Sequence, residues 1–66
     1  VNFQQALQQY IGRTIEVLTV GSLLTGTLLR VGEGFLVLRT SSNYYNPVEG
    51  DVTVFFTNIE FVRVLP

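Results

Sequence analysis

The sequence contains no cysteine, no histidine and no lysine. The first two absences exclude a disulfide framework and a Cys/His metal centre. They also remove the side chains most often used as nucleophile or general base near neutral pH, so that Glu16, Glu33, Glu49, Asp51 and Glu60 are the only carboxylate bases left. We therefore read the chain as a non-enzyme, without catalytic residues, cofactor or metal. The missing lysine leaves Arg13, Arg30, Arg39 and Arg63 as the whole positive charge, against a net charge of −1. Four arginines scattered along the chain form no basic stripe of the kind that grips a phosphate backbone. A ring of subunits, however, would gather one copy of each into a circle. No apolar run approaches the roughly 20 residues of a spanning helix, and no charged segment precedes an apolar core as in a secretory leader. The expectation is a cytoplasmic protein that does not enter a membrane.

What the sequence has in abundance is apolar residues, 47% against 14% charged, in only 66 residues. This length is a single domain, 1–66, near the lower limit of independent folding. For chains this small, apolar burial and the cost of ordering the backbone nearly cancel. With disulfides and metals excluded, oligomerisation is the remaining source of stability, and a homo-oligomer is expected.

Residues 2–10 place Phe3, Ala6, Leu7 and Tyr10 at helical spacing, with glutamines opposite and Asn2 as N-cap. Three β-branched, apolar runs follow, at about 14–20, 23–31 and 35–40, separated by glycine-marked turns. Gly26, inside the longest run, signals a bend or a close backbone approach. Gly32, Glu33 and Gly34 read as a hairpin turn rather than a phosphate loop, because a strand follows. Residues 41–51 form a loop rich in turn-forming residues. Two more strands are expected at 52–56 and 59–65, with a single 3₁₀-like turn between them. The fold class that results is all-β, a strongly bent five-stranded barrel of SH3 type with a short N-terminal α-helix.

The order of elements, with Tyr10, Ile11, Gly12, Ile15 and Val17, then Gly21 and Gly26, then Phe35, Leu36 and Leu38, resembles the first signature of the Sm-like superfamily, which includes Sm, LSm and Hfq proteins. Residues 55–64 stand where its second signature would lie. The wording also resembles small proteins of spore-forming bacilli that share a YIGR opening and an NIEFVRV ending. The Sm resemblance implies a ring in which the fourth strand of one subunit pairs with the fifth of its neighbour. We expect five to seven subunits, with Val54, Phe55, Phe56, Ile59, Phe61, Val62 and Val64 at the interface.

The RNA-binding pattern of the family is only partly represented. Glu33 takes the place of its acidic turn residue, but Val37 stands where the base-reading asparagine would be. Phe56 and Thr57 replace its Arg-Gly pair, and the lysine and histidine of Hfq are missing. Single-stranded RNA would then be contacted by Glu33, Arg39, Tyr44, Tyr45 and Asn58, with the two adjacent tyrosines offering stacking surfaces. Two functional readings follow. One is an RNA-binding or RNA-chaperone ring with atypical site residues; the other is a structural or protein-interaction ring without RNA, associated with sporulation if the bacillar resemblance holds.

Overall fold

The computed structural model describes residues 2–40 and 50–66. It contains one short helix and five antiparallel strands, an all-β arrangement. Helix α1 (Phe3–Gln8) is closed at its start by a capping box. The Gln5 N–H donates to Asn2 Oδ1 at 2.8 Å, and the Asn2 N–H donates to Gln5 Oε1 at 3.3 Å. Six residues are too few for a helix to persist by itself. Leu7, 4% exposed, anchors it to the core, and the Phe3 ring meets the Phe56 ring edge-on, with centroids 4.9 Å apart.

Strands β1 (Thr14–Thr19), β2 (Ser22–Gly32) and β3 (Phe35–Thr40) form a meander. Each of its two hairpins has a two-residue loop, Val20-Gly21 and Glu33-Gly34, whose glycine has φ +86. That left-handed conformation at the second loop position is disfavoured for residues with a Cβ, which explains the glycines. Strand β4 (Gly50–Phe55), a 3₁₀ turn (Phe56–Asn58) and β5 (Ile59–Val64) complete the chain. Gly50 and Asp51, expected in the loop, belong to β4 and pair with Thr40 and Arg39. Strand β2 is longer than its apolar run suggested because both hairpins close directly onto its ends.

The strand order is β4-β3-β2-β1-β5. Strands β4 and β5 therefore lie at opposite edges, although only three residues separate them. In a flat sheet, four spacings of about 4.8 Å would hold those edges roughly 19 Å apart. Three residues of 3₁₀ helix rise only about 6 Å. The sheet must curl, and β2 supplies much of the bend. Its first half pairs with β1 and its second half with β3, Thr27 being shared between them, and the ladder to β3 is irregular between Leu28 and Arg30. Among the described residues the curled sheet is not closed: β4 pairs only with β3, and β5 only with β1.

The concave face holds the core of Ile15, Val17, Leu28, Val31, Leu36, Leu38 and Val54, with Leu7 of α1 at one end. The alternation of β1 is the expected one, with Ile15 and Val17 fully buried and Thr14 and Glu16 turned away. In β3 it breaks down: Leu36, Val37 and Leu38 are all buried. Val37 lies on the outer face, between Arg30 of β2 and Thr53 of β4 in the register.

Candidate functional site

Of the residues expected to touch RNA, the described ones, Glu33, Arg39 and Asn58, do not form one cluster. Glu33 is exposed in the β2–β3 turn, and the Phe56 N–H donates to the neighbouring Gly34 carbonyl at 2.9 Å. This bond brings the Glu33-Gly34 turn beside the 3₁₀ turn that carries Asn58. Arg39 lies at the far end of β3, facing Asp51 at 3.5 Å. Tyr44, Tyr45 and Glu49 lie outside the described residues. Val37, where the resemblance would place an asparagine, is 7% exposed and presents no polar group.

Each arginine already has a contact. Arg63 meets Glu16 at 2.6 Å across β5 and β1, and the Arg13 guanidinium donates to the Leu65 carbonyl at 2.9 Å. The Arg30 guanidinium lies 5.8 Å from the centre of the Phe35 ring. This cation–aromatic pair was not anticipated from the sequence, although the tight hairpin between Gly32 and Phe35 is a signal that could have placed the two residues near each other. Among the described residues, no three carboxylates or other ligand-type side chains converge as a metal site. No helix among them is long and apolar enough to cross a membrane.

The seven residues expected at a subunit interface divide by side-chain direction. Val54 belongs to the core, and Phe56, Ile59, Val62 and Val64 pack against it. Phe55 and Phe61 face outward, 55% and 52% exposed. Phe61 extends an apolar row across the outer face, since it stands opposite Leu18, which stands opposite Leu23. Leu23 is 58% exposed, and Val20, at the tip of the same hairpin, is 80% exposed.

Backbone geometry shows what the two edges offer. Residues along an antiparallel strand direct their N–H and C=O alternately to one side and the other. The bond from Phe56 to Gly34 therefore places the groups of Val52 and Val54 toward β3 and those of Asp51, Thr53 and Phe55 toward solvent. On β5 the Leu65 N–H donates to the Thr14 carbonyl at 3.0 Å. Phe61 and Arg63 accordingly bond toward β1, and Val62 and Val64 present their groups outward.

Beside the β4 edge runs an open groove of about 390 Å³, lined by Val52, Thr53, Val54 and Phe55 on one side and Thr19, Val20, Leu24 and Asn58 on the other. Its lining combines apolar side chains with the hydroxyls of Thr19 and Thr53 and the amide of Asn58. No protein-family model, no curated protein and no solved structure matches the chain.

Proposed function

We propose that this chain is a self-assembling structural module of Sm-like type, whose copies join through the β4 and β5 edges into a closed ring of five to seven subunits. The observation that carries this reading is the pair of edges, unpartnered among the described residues, at opposite ends of one curled sheet, each with an exposed phenylalanine. Unpaired strand edges are templates for further pairing, and copies joined by unlike edges satisfy all of them only when the chain of contacts closes. The order β4-β3-β2-β1-β5, the N-terminal helix and the short 3₁₀ link support the Sm-like assignment. Native mass spectrometry tests it: the expected species carries five to seven times the 7.4 kDa chain mass. A monomer at tens of micromolar would overturn the proposal.

RNA binding is the second reading, favoured by the exposed Arg30 guanidinium over the half-buried Phe35 ring, a pairing suited to stacking on a base. It ranks second because Arg39 and Arg63 face carboxylates within the chain and Val37 offers no base contact. Retention of U-rich, A-rich and mixed oligonucleotides at low salt decides it. RNA binding would weaken steeply as salt is raised and would fall in Arg30→Ala; no retention of any of the three removes this reading.

A further inference from the structure

We infer that helix α1 is a detachable brace on the link between β4 and β5, with Phe3 as the positioning residue that couples them: when the helix lifts, the link loosens with it. Backbone pairing leaves this end of the molecule open. Among the described residues β4 and β5 share no ladder, and the 3₁₀ turn Phe56–Asn58 joins them directly. The spacing of the two edges therefore depends on whatever fixes that turn.

Little fixes it from within. Three residues of 3₁₀ helix have poor hydrogen-bond geometry, and no side chain among the described residues caps the turn. Thr57 and Asn58 are exposed. Phe56 is the residue that ties the turn down. Its N–H donates to the Gly34 carbonyl at 2.9 Å, its carbonyl accepts from the Ile59 N–H, and its ring packs against the core. The Phe3 ring lies edge-on to that ring.

The helix runs between two anchor points. Beyond its C-terminal end the Gly12 N–H donates to the Leu28 carbonyl at 2.7 Å, and the Leu28 N–H donates to the Arg13 carbonyl at 2.9 Å. These bonds tie the chain after α1 to β2, at the irregularity in the β2–β3 ladder. At the other end Phe3, the first helical residue, reaches the link. The helix thus crosses from the bend in β2 to the junction of β4 and β5, bridging by side-chain contact what the sheet leaves unpaired.

This brace is weakly held by comparison with the sheet. Its six residues bury one side chain, Leu7, and Phe3 is 45% exposed. Short helices with so few buried contacts open at a free energy well below that of the whole fold. Each opening takes the Phe3 edge away from Phe56, so the link loses a partner at the same moment. The converse follows by linkage: a loosened link no longer holds Phe3 and favours the open helix. Any interaction that draws α1 away therefore also frees the link that sets the spacing of the two edges.

Amide hydrogen exchange, read residue by residue by NMR, tests the coupling. The amides of Phe56 and Ile59 report on the link, since both are bonded within the chain and not along a free edge. Those of Ala6 and Tyr10, bonded to the Asn2 and Leu7 carbonyls, report on the helix. Phe3→Ala is expected to speed exchange at Phe56 and Ile59 about three- to tenfold, while the core amides of β1 and β2 change by less than about twofold. Phe56→Leu keeps apolar packing but removes the ring edge, and is expected to speed exchange at Ala6 and Tyr10 by a similar factor. In the Phe3→Ala background, Phe56→Leu is expected to leave Ala6 and Tyr10 unaltered, because the contact is already gone. Unchanged exchange at Phe56 and Ile59 in Phe3→Ala would overturn the coupling. An equal rise at every sheet amide would overturn it too, making Phe3 a general contributor to stability. A Phe56→Leu effect on the helix that persists without Phe3 would exclude Phe3 as the coupling residue.

Discussion

A methyl group placed on Gly26 would lie 2.5 Å from the carbonyl oxygen of Arg39. Both partners are main chain in the centre of a sheet, where β2 passes from its pairing with β1 to its pairing with β3. Gly26 has ordinary negative backbone geometry, so the requirement is one of space and not of conformation. Gly26→Ala is therefore expected to destabilise the fold by about 2–3 kcal/mol, since no flexible side chain can yield. Urea unfolding measures this directly. A change below about 0.5 kcal/mol would show that β3 can move aside to admit the methyl group.

Leu7 is the only buried residue of α1. Leu7→Ala removes the anchor of a helix too short to persist alone, and should cost about 2–4 kcal/mol. Amide hydrogen exchange is expected to speed up selectively across residues 3–8, with the sheet less affected. Equal protection in the variant would mean that Phe3 and its contact with Phe56 suffice to hold the helix.

Phe61→Glu places a charge on an exposed edge position, where the isolated chain tolerates it. The far-ultraviolet circular dichroism of a β-rich chain should persist while light scattering reports loss of the oligomer. Phe55→Glu is expected to act alike through the other edge. Retention of the full assembly in both variants would move the interface away from β4 and β5.

The two cross-strand ion pairs should differ in strength. Arg63 and Glu16 approach to 2.6 Å, and the Glu16 side chain is only 20% exposed, whereas Arg39 and Asp51 are 3.5 Å apart and both largely exposed. A double-mutant cycle on Arg63 and Glu16 is expected to give a coupling of about 0.5–1 kcal/mol, and one on Arg39 and Asp51 less than about 0.3 kcal/mol. Equal couplings would contradict this difference in exposure.

Much of the local structure was legible because its causes are local. Asn2 announces the start of α1, and the glycines at positions 21 and 34 announce the two hairpins. The burial of Ile15 and Val17 follows from simple alternation. Residues on β5 were harder to assign. Ile59, Phe61, Val62 and Val64 are all apolar, and an irregularity opposite Thr19 shifts the pairing, so composition alone does not say that only Phe61 of these four turns outward. The partners of Arg39 and Arg63 depend on the registers β3–β4 and β1–β5, which join residues distant in sequence. Val37 lies on the outer face yet is buried, because the strands on both sides of β3 are in place, which the sequence does not show. The groove was invisible for the same reason, since its two walls come from the β1–β2 hairpin and β4.

The unlike character of the two edges would give the proposed assembly a polarity. A copy altered only on β5 still offers an intact β4, so it can be captured by a normal neighbour but cannot pass the contact onward. Such a copy is a terminator: a minority of altered subunits mixed with normal ones would leave many growing chains capped before closure. Loss of complete assemblies would then outpace the fraction of altered subunits, a dominant effect that a symmetric two-fold contact, using one patch twice, would not produce.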